Sequence, residues 1–220
     1  KAILFDIDGT LFSSETIIHE IYRQEFQHFQ DRYGLPDKIP ALEEIVAQIG
    51  KPVVEIFAAL APGLRIEQRQ EIAGNILKSL VDAIDSGAGE HYPGGLYTIR
   101  RLHEAGRLLF AASNGRKEYI EAILRASRSS SYFAPVLAVD GQKIHNKDQL
   151  VAAILKGNGL RGQDCLLVGD RDSDRQAALS SGIAFIACSF GHGTEAEHRG
   201  AIATIDSLPQ LLDLLSLAPA

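Results

Sequence analysis

The chain has 220 residues, 45% of them hydrophobic, and its 22 basic and 28 acidic residues give a formal net charge of −6. This length and apolar content suit one large domain, or one domain that carries a smaller insertion. The absence of a basic stripe and of any apolar run of transmembrane length argues against nucleic-acid and membrane partners.

The first predicted element is a short buried strand over residues 2–6, and it ends in the sequence Asp6-Ile-Asp8-Gly-Thr10. Aspartate is depleted from strands. Two carboxylates one residue apart at the end of a buried strand would repel each other and lose hydration, unless a cation lies between them. The opening segment therefore predicts a site that holds a cation.

Residues 14–85 are predicted to be helical, because apolar side chains recur at helical spacing throughout the stretch. Glycine and proline interrupt the pattern at three places, namely residues 34–36, 50–52 and 61–63. We therefore expect several short helices that interrupt the domain just after its first strand.

From residue 92 onward, predicted strands alternate with predicted helices. The strands are expected at residues 108–112, 136–139, 165–168 and 183–188, and the helices at residues 96–105, 116–126, 147–156 and 174–181. This alternation predicts an α/β fold with a doubly wound parallel sheet, to which the first strand also belongs.

The two cysteines, Cys165 and Cys188, lie in apolar predicted strands, and we expect both to be buried thiols. No signal segment is apparent, so we expect a cytoplasmic protein.

Candidate site residues follow the predicted strands, because ligands of open α/β sheets bind beyond the carboxyl ends of the strands. These candidates are Asp6, Asp8, Gly9 and Thr10, then Ser113 and Asn114, then Lys147 before a helix, and finally Asp170 and Asp174. Several carboxylates without cysteine or histidine at ligand spacing favour Mg²⁺ over Zn²⁺. Hydroxyl, ammonium and backbone amide groups supply donors for a phosphoryl group, and a carboxylate can itself act as a nucleophile.

These four groups of residues resemble, in order and spacing, the four sequence motifs of the haloacid-dehalogenase-like hydrolases. The resemblance covers the whole chain. It implies that Asp6 is the nucleophile and a Mg²⁺ ligand, and that Asp8 is the general acid and base and binds the metal through its backbone carbonyl. The other roles it implies are phosphate binding by Gly9, Thr10, Ser113, Asn114 and Lys147, and metal binding by Asp170 and Asp174.

The position of the helical stretch resembles that of the family's helical cap. The resemblance implies a Rossmann-like core of residues 1–13 and 86–220 and a cap domain of residues 14–85. Members with such a cap include phosphoglycolate phosphatases, so we expect a Mg²⁺-dependent phosphatase that acts on a small phosphorylated metabolite through an aspartyl-phosphate. Asp8 argues against dehalogenase and phosphonate hydrolase activity. The oligomeric state is not predicted.

Two other functions are compatible with the same residues. A β-phosphoglucomutase-like enzyme would carry a histidine in the cap, and His19 lies early in the helical stretch. A non-catalytic receiver domain uses similar acids and a lysine, but it has no cap. The sequence Gly191-His-Gly193 matches part of a dinucleotide-binding motif, yet we expect only a glycine loop that borders the site. Asp172, His192 and His198 are expected to be solvated.

Overall fold

The computed structural model describes residues 1–33 and 39–217. The strands are β1 (Ala2–Phe5), β2 (Phe12–Ser13), β3 (Glu90–His91), β4 (Leu108–Ala111), β5 (Cys165–Gly169), β6 (Ala184–Cys188) and β7 (Ala203–Ile205). The helices are α1 (Glu15–Tyr33), α2 (Leu42–Val46), α3 (Val53–Leu60), α4 (Ile66–Asp85), α5 (Gly95–Glu104), α6 (Lys117–Ala126), α7 (Lys147–Gly157), α8 (Asp172–Ser180) and α9 (Gln210–Leu214). Two short 3₁₀ helices cover Ser130–Tyr132 and Gly162–Asp164.

Five strands form one parallel sheet in the order β4-β1-β5-β6-β7. The strand β1 lies between two partners, and its last residue, Phe5, is in register with Ala111 of β4 and Val168 of β5. The carboxyl ends of these three strands therefore lie side by side. The residues that follow each of them meet at one edge of the sheet.

Helices cover both faces of the sheet. Alternating residues of β1 belong to two separate apolar clusters, because successive side chains of a strand point to opposite faces. Ile3 and Phe5 pack in the cluster that includes side chains of α5, α6 and α9, whereas Leu4 packs with α7 and α8. The predicted doubly wound α/β fold is confirmed. Cys165 and Cys188 are both free and buried, as expected.

The helices α1 to α4 pack together between β2 and β3. Helix α1 packs along α4, and α4 also contacts α3 and α6. The ring of Tyr22 stacks between those of Phe26 and Phe57, which joins α1 to α3. The strands β2 and β3 pair antiparallel where the chain leaves and re-enters the sheet domain. The predicted helical character of this stretch is confirmed over its described part, and the break predicted at residues 34–36 lies outside the described residues.

The strand predicted at residues 136–139 is wrong. The chain forms only an isolated parallel bridge between Phe133 and Leu109, and the amide of Ala134 donates to the carbonyl of Leu109 at 2.9 Å. Beyond this hydrogen bond the backbone of residues 135–139 makes none to β4. The chain turns instead, and the amides of Asp140 and Gly141 both donate to the carbonyl of Ile144 at 3.0 Å. Across the described chain, residues 1–33 and 39–217, no helix is both long and apolar enough to cross a membrane.

Candidate active site

Three carboxylates converge at the edge of the sheet where β1 and β5 end. Asp6 follows β1, Asp170 follows β5, and Asp174 lies in the first turn of α8. All three residues are buried, and one carboxylate oxygen from each lies within 4.8 Å of the others. We call these three residues the acidic cluster. Such a concentration of negative charge away from water requires protons or cations.

Lys147 supplies one positive charge to the acidic cluster. Its ammonium nitrogen lies 2.8 Å from Oδ1 of Asp6 and 2.6 Å from Oδ1 of Asp174. Burial alone would lower the pKa of Lys147, but the charges of Asp174 and Asp6 outweigh it and raise the pKa above its ordinary value. Lys147 is the first residue of α7, a position fixed by Asn146, whose side chain accepts a hydrogen bond from the amide of Gln149. The lysine thus stays charged and ties the two acids together.

Within residues 1–33 and 39–217, no side-chain cation other than Lys147 forms an ion pair with the acidic cluster. Burial, followed by the charge of Asp6, raises the pKa of both Asp170 and Asp174 above the ordinary value. Both oxygens of Asp174 are engaged, because Oδ1 accepts from Lys147 and Oδ2 from the amide of Arg171 at 3.0 Å. By contrast, Oδ2 of Asp6 is buried and has no hydrogen-bond partner among the residues that the structure describes. One carboxylate oxygen is therefore available for a ligand.

Asp170 is held by backbone amides rather than by side-chain cations. Its Oδ2 accepts from the amides of His192 at 2.7 Å and Gly193 at 3.1 Å, and its Oδ1 has only a long contact of 3.5 Å with the hydroxyl of Thr10. Gly9 has a positive φ of 78°, and a Cβ there would overlap the carboxylate of Asp170. This close packing fixes Asp170 while leaving Oδ1 open. Oxygen ligands from Asp6 and Asp170 fit a hard cation such as Mg²⁺.

The glycine loop that holds Asp170 was expected only to border the site, and its histidines to be solvated. The second expectation is wrong for His192. The side chain of His192 is only 5% exposed, and its Nδ1 lies 2.9 Å from a carboxylate oxygen of Glu15 at the start of α1. Nε2 of His198 lies 2.9 Å from the backbone oxygen of Asp170. Gly191 and Gly193 have no side chain, so the loop lies directly against Asp170, and both imidazoles pack near this residue.

Asp8 lies apart from the acidic cluster, on the side of the α1–α4 helices. Its Oδ1 accepts a hydrogen bond of 2.7 Å from the hydroxyl of Tyr119, on α6. Burial raises the pKa of Asp8 to about 6, although the hydrogen bond from Tyr119 opposes that rise. Tyr119 was not predicted as a site residue. A tyrosine on the inner face of an amphipathic helix ordinarily indicates core packing, so the sequence carries no signal for this contact.

The loop after β4 contributes Ser113 and Asn114. The hydroxyl of Ser113 accepts from the amide of Gly115 at 3.1 Å, and it donates to none of the residues that the structure describes. The side-chain amide of Asn114 donates to the carbonyl of Gly50 at 2.8 Å, which joins this loop to the segment between α2 and α3. Oδ1 of Asn114 is buried and has no partner within residues 1–33 and 39–217.

The remaining candidates are engaged within the protein. The amide of Gly9 donates to the carbonyl of Phe12 at 2.9 Å, and the amide of Thr10 donates to that of Ile7 at 3.2 Å. Phosphate binding by Gly9 and Thr10 therefore stays a prediction, and the structure gives them a role in shaping the turn. Asp172 pairs with Arg175 and is about half exposed, in agreement with the expected surface charge.

A family model described as haloacid dehalogenase-like hydrolase matches residues 3–188. The chain belongs to the haloacid dehalogenase-like hydrolases. The matched range spans the acidic cluster, Asp8, Ser113 and Lys147, so it includes all four segments that form the candidate site.

Relatives of this haloacid dehalogenase-like hydrolase are phosphatases. A phosphoglycolate phosphatase from Pseudomonas syringae pathovar tomato is 25% identical over 233 residues, which cover 96% of this chain and 78% of the relative. A 5′-nucleotidase from Pseudomonas aeruginosa is 28% identical over 208 residues, which cover 90% and 86%. The crystal structure of a predicted phosphoglycolate phosphatase from Haemophilus somnus has the same fold, with a TM-score of 0.82 at 18% identity and coverage of 98% and 97%.

This haloacid dehalogenase-like hydrolase is therefore an enzyme, a phosphatase, and phosphatases of this kind act on small phosphorylated substrates. The buried acidic cluster is consistent with a divalent metal, which phosphatases of the family generally use. The candidate site combines a carboxylate oxygen of Asp6 without a partner among the described residues, the buried ammonium of Lys147 and the separate carboxyl group of Asp8. These groups can act as a nucleophile, a phosphate ligand and an acid, respectively.

Proposed function

We propose that the enzyme hydrolyses a small phosphate monoester in a Mg²⁺-dependent reaction that passes through an aspartyl-phosphate on Asp6. The observation that carries this proposal is the state of the Asp6 carboxylate. One oxygen is 2.8 Å from the ammonium of Lys147, and the other is buried without a hydrogen-bond partner in the described part of the chain. A buried carboxylate with an oxygen left free is costly unless that oxygen has a function.

The residues present fit a magnesium ion. The ligands would be the free oxygens of Asp6 and Asp170 together with the backbone carbonyl of Asp8, which accepts no hydrogen bond from the described residues. Asp174 would act through water, because Lys147 and the amide of Arg171 already occupy its two oxygens. When bound, Mg²⁺ supplies charge neutralisation for the phosphoryl oxygens.

The protein groups account for two successive displacements. In the first, the carboxylate of Asp6 attacks phosphorus, the bond from phosphorus to the alcohol oxygen breaks, and Asp8 gives its proton to that oxygen. In the second, Asp8 takes a proton from a water molecule whose oxygen attacks phosphorus, which releases phosphate and restores Asp6. Lys147 and Ser113 hold the phosphoryl oxygens throughout. A pKa of about 6 allows Asp8 to serve as both acid and base near neutral pH.

The helices α1 to α4 act as the cap, with a boundary near residues 14 and 85. Two contacts join this segment to the sheet domain at the site, from Asn114 to Gly50 and from His192 to Glu15. A cap that closes on these contacts excludes water from the first displacement. The mutase alternative has no comparable support, because His19 is exposed on α1 and is absent from the lining of the cavity beside Asp8.

Release of inorganic phosphate from p-nitrophenyl phosphate and from alkyl phosphates tests the proposal. Phosphate release is expected with Mg²⁺, and it should stop in excess chelator or in the variant Asp6→Asn. The matched control is Asp213→Asn, an exposed aspartate on α9, which should keep the parental rate. Full activity in chelator, or in Asp6→Asn with its fold intact by circular dichroism, would contradict the proposal.

A further inference from the structure

A cavity of about 90 Å³ opens beside the proposed acid, Asp8, and extends among the helices α1, α3 and α4. Polar residues of the sheet domain, among them Asp8, Ser113 and Tyr119, line one part of it. The lining from the helices α1, α3 and α4 is apolar except for Tyr22, and it includes Phe57, Ala73 and Leu77. A phosphoryl group held between Asp6 and Ser113 would direct its alcohol past Asp8 into this cavity.

Among the described residues, the only cationic side chains in the cavity lining are Lys51 and Arg116. Lys51 is exposed, and its ammonium group donates to Oε1 of Gln48 at 2.9 Å. Arg116 is partly exposed and also lines a neighbouring surface cleft. Neither residue is buried, so neither charge is enclosed among the aliphatic side chains of the cavity. An anionic group bound inside would lose its hydration and gain no partner.

We propose that this cavity binds the leaving group of the substrate, and that the leaving group is a compact, uncharged, apolar alcohol. The inference rests on the proposed phosphatase function and adds the class of substrate. A hydroxy acid is disfavoured because its carboxylate would be buried beside Phe57 and Leu77 without a cation. A nucleoside is disfavoured because it is far larger than the cavity.

The volume of the cavity limits the size of the alcohol. An engineered protein cavity of about 150 Å³ accepts benzene, so about 90 Å³ corresponds to an alkyl group of about four carbon atoms. Each methylene that enters an apolar site is expected to raise kcat/KM about fourfold. The value of kcat/KM should therefore rise from methyl phosphate to isobutyl phosphate and fall for the phosphates of larger alcohols.

The decisive comparison is between isobutyl phosphate and 2-phosphoglycolate. These two esters have the same branched shape, but one ends in two methyl groups and the other in the two oxygens of a carboxylate. With Mg²⁺ present, kcat/KM for isobutyl phosphate is expected to exceed that for phosphoglycolate by at least about tenfold. An equal or higher kcat/KM for phosphoglycolate overturns the inference.

Two variants of α4 test whether the cavity itself sets this selectivity. Ala73→Leu fills the cavity and should lower the ratio of isobutyl to methyl phosphate hydrolysis at least about tenfold. Ala58→Leu places the same side chain on the exposed face of α3 and should leave the ratio unchanged. Leu77→Lys introduces a cation and should raise phosphoglycolate hydrolysis relative to that of isobutyl phosphate. A ratio that Ala73→Leu does not change, with the fold intact, contradicts the assignment.

The outcomes separate this inference from the proposed function. If the enzyme hydrolyses methyl phosphate but prefers phosphoglycolate, and Arg116→Gln abolishes that preference, the guanidinium selects an acid and only the present inference is wrong. If none of the esters releases phosphate in the presence of Mg²⁺, the phosphatase proposal fails and the inference fails with it.

Discussion

The hydroxyl of Tyr119 donates a hydrogen bond of 2.7 Å to the carboxyl group of Asp8 and thereby joins the first turn of α6 to the turn after β1. The contact fixes one oxygen of Asp8, whose side chain also lines the cavity beside it. Asp8 is the proposed proton donor to the leaving alcohol. Its orientation should therefore matter most when the leaving group needs that proton.

We expect Tyr119→Phe to lower kcat for alkyl phosphates about tenfold, because a hydrogen bond to an ionisable group is worth about 1.5–3 kcal/mol. Phosphorylation of Asp6 by acetyl phosphate, whose leaving group needs no proton, should change much less. The measurements are kcat for alkyl phosphates and the rate of phosphoenzyme formation from acetyl phosphate, in the parent and the variant. An equal loss in both rates would mean that Tyr119 does not act through the proton that Asp8 donates.

The chain offers a matched control for this substitution. The hydroxyl of Tyr33 donates to the carboxylate of Glu71 at 2.6 Å, on the exposed side of α1 and α4. Tyr33→Phe therefore removes a similar hydrogen bond far from the site. It should leave kcat unchanged for both classes of substrate.

The two aspartates of the first motif should fail in different ways. Asp6→Asn removes the proposed nucleophile and should form no phosphoenzyme with any donor. Asp8→Asn keeps the nucleophile, so acetyl phosphate should still phosphorylate Asp6, after which hydrolysis stalls because no base activates water. Mass spectrometry of intact protein after exposure to acetyl phosphate measures both states. A phosphorylated Asp6→Asn protein, or parental turnover by Asp8→Asn, would show that the roles are assigned wrongly.

Removal of the buried ammonium should destabilise the protein as well as inactivate it. Lys147→Met leaves the carboxylates of Asp6 and Asp174 without their common partner, and breaking such a buried pair costs about 3–5 kcal/mol. Urea unfolding in the absence of metal measures the loss. Lys156→Met, an exposed lysine in the last turn of the same helix, is the control and should change stability by less than about 0.5 kcal/mol.

The stability of the metal-free protein should depend on pH. The pKa of Asp8 is raised from 3.8 to about 6, and those of Asp170 and Asp174 are raised too, so the folded chain binds more protons than the unfolded chain above about pH 4. The free energy of unfolding should therefore fall as the pH rises through these folded-state pKa values.

Mg²⁺ should reverse this loss, because a cation takes the place of the protons in the acidic cluster. The rise in Tm that Mg²⁺ produces is expected to be larger at about pH 8 than at about pH 5. Differential scanning calorimetry with and without Mg²⁺ at both pH values gives the comparison. An increase in Tm of the same size at both values would argue against metal binding by these carboxylates.

Candidate site residues could be predicted from the sequence where their chemical type is unusual for their position. Carboxylates at the ends of β1 and β5 are costly without a function, and this cost predicts from the sequence pattern alone that Asp6 and Asp170 are candidate site residues, which the structure brings together. Lys147 could be linked to them only through the family motif, because a lysine at the start of a helix is ordinarily exposed. The fold instead buries its ammonium group between two acids.

Contacts that depend on tertiary packing could not be predicted in this way. Tyr119 has the spacing of a core residue, and its hydroxyl meets Asp8 only because α6 packs beside the turn after β1. The side chain of His192 is buried because glycines bring its loop onto Asp170. The apolar run at residues 136–139 has the composition of a strand, but its backbone makes no hydrogen bond to β4 beyond the bridge at Phe133.

The position of β1 in the interior of the sheet has a consequence for how the enzyme loses function on heating. Because β4 and β5 flank this strand on both sides, Asp6 cannot leave its place until two ladders separate. Fraying of β7, the edge strand farthest from β1, leaves the proposed nucleophile in place. The fraction of a heated sample that still accepts phosphate on Asp6 should therefore equal the fraction that remains globally folded. Phosphoenzyme formation would then measure how much of the sample is native.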